Sequence, residues 1–539
     1  TGQTLTGSAE AAARAILKEV EALPLAVEQI GAYLAQHQTP MERYLPALQK
    51  EHSRLFQSHP GMERRSITTV WSLSFSEVEA ESPAAADLLR VSAYLSPDGI
   101  PERFLTAGAA ELGKPLHTAL SQETSLAIDV VLGPLLRHSL VRRFQEEDGE
   151  SFYSVHRLVQ DVIRQRLRSS QQEAIFIRRA VAALSQVFPD PAEATAWVRS
   201  RALLPSVESL WLRAQMLELL PAARLWSLAG YYLMRQARYT EAEPLFRRSL
   251  EIREKALKFD HPDVATSLSD MALLLTHQGK LTEAEPLCRR SLKISQEILD
   301  PDHPHVAIRL NNLAALLTQQ SKEAEAEPLY RRSLAILEKA LKPDDPDVGL
   351  GLNNLAALLA SQGKLDEAEP LYRRSLAIGE KALRSDHPNV ASTLNSLAFL
   401  LAKRGKFAEA ERLYHRSLAI YEKTLGPDHP DVASILLNMA LLLFDQTKFS
   451  EAELLCRRSL AIFEKALGPD HPDVALCLHT LAVLLDSIGR LAEAEPLYRR
   501  SLTLAEKELG PDHPSTKIAR ENLRLLLKNQ EGCAGPMGE

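Results

Sequence analysis

Six histidines recur at one spacing: His261, His303, His387, His429, His471 and His513, each inside an Asp-His-Pro step. Imidazoles repeated in this way are the residues a zinc array would use. A zinc ligand, however, sits about 2 Å from its ion, whereas neighbouring helices pack roughly 8–10 Å apart. Histidines on successive units therefore cannot share a metal, and the array reads as helix-start chemistry. The stretch Gly108-Ala-Ala-Glu-Leu-Gly113-Lys114 has the spacing of a phosphate-binding loop. Pro115 stands where the Mg²⁺-holding Ser or Thr belongs and no strand leads in, so the match reads as coincidence. The four cysteines (Cys288, Cys456, Cys477, Cys533) form no Cys-x-x-Cys pair, which suggests neither a zinc site nor a disulfide framework. No nucleophile–base pair or metal cluster stands out. The expectation is a chain with no catalytic constellation, no metal and no cofactor of its own.

What must position these residues is a repeat. Glu-Ala-Glu begins at Glu241, Glu283, Glu325, Glu367, Glu409, Glu451 and Glu493, a constant step of 42. The Asp-His-Pro prolines keep the same step from Pro262 to Pro514, and only the third copy departs, with Asp345 in place of His. Two markers locked over seven copies define a solenoid. Each unit reads as two helices. The first follows Asp-His-Pro, as in Val306 to Leu317. A turn follows, often at Gly (Gly279, Gly363, Gly405, Gly489). The second runs from Glu-Ala-Glu through Tyr-Arg-Arg-Ser-Leu, its acidic first turn suiting the helix dipole. Asp and Pro then start the next helix, Asp taking free N–H groups and Pro tolerating the first turn. Paired arginines such as Arg331-Arg332 and Arg373-Arg374 would form a solvated or salt-bridged convex stripe.

Small residues mark helix contacts. Ala272, Ala314, Ala356, Ala398, Ala440 and Ala482 hold one slot, and Ala284, Ala326, Ala368, Ala410, Ala452 and Ala494 another; four residues beyond the second come Cys288, Tyr330, Tyr372, Tyr414, Cys456 and Tyr498. This small–small–aromatic pattern is that of the tetratricopeptide repeat (TPR), at a period about eight residues longer than the usual ~34. With Asn-Asn-Leu-Ala (Asn311 to Ala314, Asn353 to Ala356), Glu-Ala-Glu-Pro-Leu-Tyr and Asp-His-Pro-Asp-Val, residues 221–528 resemble the kinesin light chain type of TPR. The resemblance implies a right-handed α-solenoid with its first helices on the concave side. It also implies a protein or peptide ligand in the groove, with Asn311, Asn353 and Asn395 contacting it. His479 shares their column; Ile308 and Leu350 lie in a neighbouring column, and Phe399 in a third. An amide offers a donor and an acceptor to an extended peptide. The alternative is that these amides bridge neighbouring helices.

Residues 1–170 lack the repeat. Ala11–Ala35 and Tyr44–Phe56 read as helical. Thr69–Val78, Ala84–Leu95 and Val130–Arg137 are followed by a hairpin signal: Ser139–Phe144, the turn Glu147-Asp148-Gly149, then Phe152–Val155. Helices followed by a β-wing suggest a winged-helix-like domain. Leu23-Pro24-Leu25-Ala26 with the following Val-Glu-Gln-Ile-Gly-Ala-Tyr-Leu resembles the GLPLA region of NB-ARC-class STAND NTPases, and Val155-His156-Arg157-Leu158 resembles their His-containing motif. Ala22 replaces the family's glycine, and Arg157 an Asp found in many members. The resemblance implies that Pro24 packs near an adenine and that His156 approaches a β-phosphate in a longer, ADP- or ATP-binding parent.

The expected organisation is mostly α: 1–60 a helical remnant of an NB-ARC-like module, 61–170 winged-helix-like, 171–220 linking helices, 221–528 the TPR solenoid, and 529–539 a disordered tail. The net charge of −7 over 539 residues argues against a nucleic-acid or anionic-membrane binder. Residues 61–170 carry 12 Lys/Arg against 15 Asp/Glu, which denies the winged-helix-like region the basic face a DNA reader needs. No apolar run approaches the ~18 residues of a membrane span, and a reducing cytoplasm fits best. The chain opens at Thr1 without methionine, so upstream sequence is expected. The functional expectation is the sensor and coupling region of a STAND-type signalling NTPase, oligomerising on activation. The alternative is a free-standing kinesin-light-chain-like adaptor with no nucleotide role.

Overall fold

Asp-His-Pro starts helices, but the histidine is the cap. In the computed structural model His261, His303, His387, His429 and His471 each accept on Nδ1 the N–H two residues on, at 3.1–3.2 Å. Asp345 does the same through its carboxylate at 3.0 Å, so the one departing copy keeps the chemistry. The preceding aspartate, expected to cap, instead reaches the second helix of the pair it opens: Asp386 pairs with Lys423 at 3.0 Å and Asp470 with Lys507 at 2.8 Å.

The structure describes the chain except residues 1–6, 20–26, 28–29, 32–33, 36–37, 59–64, 122–125, 147–148, 191–195, 216, 384, 509–513 and 534–539. It divides into two compact units, 1–229 and 230–539.

In the first unit the helices are α1 (Gly7–Glu19), α2 (Met41–Ser58), α3 (Arg65–Glu81) and α4 (Pro83–Ser92). Then come β1 (Ile100–Pro101), α5 (Arg103–Ala107), α6 (Lys114–Leu120), α7 (Ala127–Arg137), β2 (Arg142–Gln145), β3 (Ser151–Ser154), α8 (Arg157–Ser169), α9 (Glu173–Val187) and α10 (Ala196–Ala214). The strands form one antiparallel sheet in the order β1-β3-β2, with Phe144 opposite Phe152 and Ile100 opposite Tyr153. The hairpin lies close to where the sequence places it. Glu147 and Asp148 of its turn lie outside the described residues, and Gly149 takes the positive φ of 86° that a tight turn asks of glycine. The two-residue β1 was not legible. Trp71, Leu88, Tyr94, Phe104 and Tyr153 fill the core. Two buried polar contacts tie α4 to its neighbours: Tyr153 Oη and Ser92 Oγ lie 3.0 Å apart, and Gln160 Nε2 donates to the Ser92 carbonyl at 2.9 Å.

Helix α11 (Leu220–Arg235) leads into the second unit and α12 (Tyr239–Ala256) follows it. Six helix pairs come next: α13 (Pro262–His277) with α14 (Leu281–Ile298), α15 (Pro304–Gln319) with α16 (Glu323–Ala340), α17 (Pro346–Ser361) with α18 (Leu365–Ala382), α19 (Pro388–Lys403) with α20 (Phe407–Leu425), α21 (Pro430–Asp445) with α22 (Phe449–Leu467), and α23 (Pro472–Ser487) with α24 (Leu491–Glu508). The closing helix α25 (Pro514–Cys533) is longer than expected and takes in the first residues of the anticipated tail.

Both alanine columns are fully buried, and Tyr330, Tyr372, Tyr414, Tyr498, Cys288 and Cys456 lie in the core beside them. Only a methyl fits where two helix backbones approach, and the larger residue fills the gap beyond. The serine of Arg-Arg-Ser-Leu is buried too. From Ser333, Ser375, Ser417, Ser459 and Ser501 it donates to a first-helix carbonyl 26 residues earlier, at 2.7–2.8 Å. First helices end on a residue at positive φ. Four are the predicted glycines, and Ala237, Ser321 and Thr447 hold the same slot at φ 56°, 60° and 61°.

Candidate functional site

The first helices carry the residues singled out for the groove, and their amides are largely spoken for. Asn312 Nδ2 donates to Ser269 Oγ at 2.9 Å, Asn354 Nδ2 to Asn311 Oδ1 at 3.2 Å and Asn438 Nδ2 to Asn395 Oδ1 at 3.1 Å. At the far end Asn522 Nδ2 lies 3.2 Å from His479 Nε2. Each rung joins a residue to the one 43 positions on, so the column is an inter-unit ladder. Asn311 is 8% exposed, its oxygen turned to the next unit.

The ladder breaks twice: Leu437 offers nothing to Thr480, whose hydroxyl donates to the Leu476 carbonyl in its own helix at 3.0 Å, and the other break falls at Asn353. Ser396 stands where an asparagine would reach Asn353, and its hydroxyl serves Tyr372 instead. The Oδ1 of Asn353 is buried and has no hydrogen-bond partner among the described residues. Asn353 lines a cavity of about 180 Å³ together with Leu350, Ser392, Tyr421, Arg235 and Asp431. Gly379 helps open that cavity, standing where the units on either side place Leu337 and Tyr421. Leu350 is 47% exposed. Among the described residues the Arg235 guanidinium makes no hydrogen bond or ion pair. A larger cavity of about 490 Å³ is lined by His277, Leu281, His471, Leu476, His479 and Ile518. His479 also borders an apolar recess of about 150 Å³ with Leu441, Phe444 and Val483. Burial pushes its imidazole below the ordinary histidine value.

Of the remaining candidates, Ile308 is half-buried. Phe399, also half-buried, carries Lys403 Nζ 4.7 Å from its ring centre. The structure thus brings Leu350 and Asn353 together at one cavity and places His479 at another. Sequence reasoning missed Arg235, Tyr421 and Asp431, which no repeat marker flags. It could have found the ladder, because Asn312, Asn354, Asn438 and Asn522 recur on the 42-residue grid.

The arginine stripe is salt-bridged. Arg290, Arg374, Arg416, Arg458 and Arg500 each pair with a glutamate 36 residues earlier, at 2.6–2.8 Å. Arg332 finds Gln296 at that position. Among the described residues no group of three or more His, Cys, Asp or Glu could hold a metal. The phosphate-loop look-alike is packed: a Cβ at Gly113 would lie 2.5 Å from Arg179 Cζ, and helix α5 precedes it rather than a strand.

In the first unit His156 caps α8, its Nδ1 accepting from Leu158 N at 3.2 Å, with its ring 6.2 Å from that of Trp71. Desolvation and the charges of Arg142 and Arg157 lower its pKa. Pro24 lies outside the described residues.

Helix pairs stacked on a constant 42-residue step define an α-solenoid. Residues 227–263 match one tetratricopeptide repeat family, and 263–339, 347–414, 389–465 and 431–507 match another. The chain is a tetratricopeptide repeat protein. Residues 76–172 match a family described as a domain of unknown function, DUF7779. A nucleotide-binding leucine-rich repeat (NLR)-like protein of Hyaloscypha variabilis is 28% identical over 281 residues, 49% of this chain and 26% of that protein. The chain thus spans about a quarter of that relative's length. Among solved structures, kinesin light chain TPR-like repeats of Podospora anserina align at 27% identity over 38% of this chain and 97% of that chain, TM-score 0.32. A Signal Transduction ATPase with Numerous Domains (STAND) protein with a tetratricopeptide repeat sensor, from Pyrococcus horikoshii, aligns at 12% identity over 90% of this chain and 73% of that chain, TM-score 0.40. Among the described residues no helix is long and apolar enough to cross a membrane.

Proposed function

We propose that the solenoid is a scaffold that holds a protein segment or extended peptide on its first helices, as the sensor of a STAND-type signalling NTPase. The observation that carries the binding reading is the rung broken at Asn353. Asn353 holds a buried carbonyl oxygen with no partner among the described residues, beside the exposed Leu350. A buried acceptor left unpaired costs roughly 1–3 kcal/mol, and a peptide N–H would satisfy it while Leu350 packs the neighbouring side chain.

The first unit would couple the sensor to a nucleotide-binding region in a longer parent. Its order of helices and its β2–β3 hairpin suit a winged-helix-like relay. His156 fits a phosphate contact: its Nδ1 is committed to the cap, its Nε2 is left to donate, and Arg142 and Arg157 are close enough to act on its charge. Bound ADP or ATP would supply the switch chemistry. This chain's part would be to present His156, and no hydrolysis is assigned to its residues. The relative bearing an NLR-like name supports this reading over a free-standing adaptor.

The test uses the full chain as bait, with captured proteins identified by mass spectrometry and each then titrated. A true groove ligand loses at least tenfold in affinity with Asn353→Ala or Leu350→Asp, while both variants keep the parent's circular dichroism. A ligand indifferent to both substitutions would refute the groove. A phosphate-binding strand–loop–helix encoded upstream of Thr1 would favour the sensor, and its absence the adaptor.

A further inference from the structure

The solenoid touches itself at long range, twice and in the same way. His429 Nε2 lies 2.9 Å from the Arg235 carbonyl oxygen, and His471 Nε2 lies 2.9 Å from that of His277; each pair is 194 residues apart. Arg235 and His277 are the last residues of α11 and α13, whose final carbonyls have no partner within the helix. The turns that follow bond through other carbonyls, so these two are free to accept. The approach is close. A Cβ at Gly279 would lie 2.9 Å from Pro472 Cγ, and Gly279 is held at φ 76°. Beside it the Tyr239 and His277 rings stack at 5.8 Å.

The histidine chemistry fits a contact made on top of a cap. Nδ1 already accepts the N–H of Asp431 or Asp473, so the ring proton sits on Nε2 and can be donated across the seam. His261 and His303 cap their helices identically, at 3.1 Å, and among the described residues neither reaches a carbonyl in this way. The cap belongs to the repeat, and among the described residues the second bond is made by His429 and His471.

The seam borders the smaller of the two cavities that its residues line. The space beside Asn353 and Leu350 is about 180 Å³, with Arg235 on its far side. Ligand pockets usually need roughly 300 Å³ or more, so no peptide enters there while the seam is shut. We infer that His429 and His471 are latches that hold the solenoid closed over its own groove, so that a ligand must unlatch it to bind. The gating role rests on the concave face being the binding surface; the latch itself does not. Apparent affinity scales with the fraction of open molecules, so weakening the latch raises ligand affinity as long as the closed form dominates.

The repeat supplies a clean variant. Asp345 shows that a short side chain caps this helix start, and Asn caps as well as Asp. His429→Asn with His471→Asn in the full chain therefore keeps both caps but cannot span the seam. The expected result is an unchanged far-ultraviolet circular dichroism spectrum and a larger radius of gyration by small-angle scattering. Amide exchange should rise at least fivefold around residues 236–240 and 278–281. His303→Asn, a cap without a seam bond, should change none of these. Parental scattering and exchange in the double variant would overturn the latch. If the seam opens while a captured ligand binds no more tightly, the latch stands and the groove reading fails.

Discussion

Asn354 donates to the Oδ1 of Asn311 at 3.2 Å, whereas Asn353, its neighbour in sequence, keeps a buried oxygen with no partner among the described residues. Two adjacent amides in one helix thus do different work. Asn354→Ala strips Asn311 of its donor, and the loss expected is about 0.5–1.5 kcal/mol. Asn353→Ala removes an acceptor that nothing satisfies, so stability should hold or rise slightly while ligand binding falls. Urea unfolding followed on the solenoid transition separates them. Equal destabilisation by both would mean that Asn353 is a rung after all.

Thr447 ends its first helix at φ 61°, in a slot that four other units fill with glycine. The left-handed region costs an L-residue roughly 1–2 kcal/mol, and a β-branched side chain is poorly suited to it. Glycine gives part of that back through unfolded-state entropy. Thr447→Gly should therefore stabilise by about 0.5–1 kcal/mol, read as a higher urea midpoint at unchanged slope. A lower midpoint would show that the threonine side chain earns its place through a contact.

The exposed ion pairs and the buried tyrosines should differ sharply in weight. Arg500 meets Glu464 at 2.6 Å, but their side chains are 41% and 35% exposed. Such pairs contribute about 0–1 kcal/mol, so Arg500→Ala should barely move the midpoint. Tyr414 is fully buried between alanine columns, and Tyr414→Ala should cost on the order of 3–5 kcal/mol, as large aromatic truncations do. Comparable effects from the two would mean that the stripe is a structural network.

The fold was legible where chemistry repeats. Two markers and two alanine columns gave the helix pairs, their turns and the buried aromatic slot, because each unit solves the same packing problem. The cap was misassigned because Asp and His both stand before the proline and aspartate is the commoner cap. Only the structure shows the aspartate turned toward the lysine of the second helix that follows, as Asp470 is toward Lys507. The candidate site was legible as a column and illegible as a cavity. Leu350 and Asn353 were named, but Arg235, Tyr421 and Asp431 meet them from other parts of the solenoid. Which units meet depends on small rotations accumulated over four intervening repeats, and no residue pattern states that sum.

Acidity should loosen the seam. His429 is buried, and burial holds its pKa below the ordinary value although Asp431, 3.7 Å from Nδ1, pulls the other way. A histidine with a lowered pKa favours the neutral form in the closed state. Its contribution is therefore complete above about 6.5, the unfolded value, and is lost as pH falls below that. Protonation puts a hydrogen on the Nδ1 that accepts from Asp431 N, so cap and latch are disturbed together. Arg235, Tyr239, His277 and His471 also gather at the seam, with Asp473, whose carboxyl burial raises. Asp473 acts in the opposite sense, since protonation relieves its burial, but in the carboxylate range at lower pH. Between pH 7.5 and 5.5 His429 should dominate. Amide exchange around residues 236–240, corrected for intrinsic rate, should speed up on going to pH 5.5 in the parent. It should be flat over that interval in the variant carrying His429→Asn and His471→Asn. A parent seam equally protected at both values would show that the latch does not titrate there.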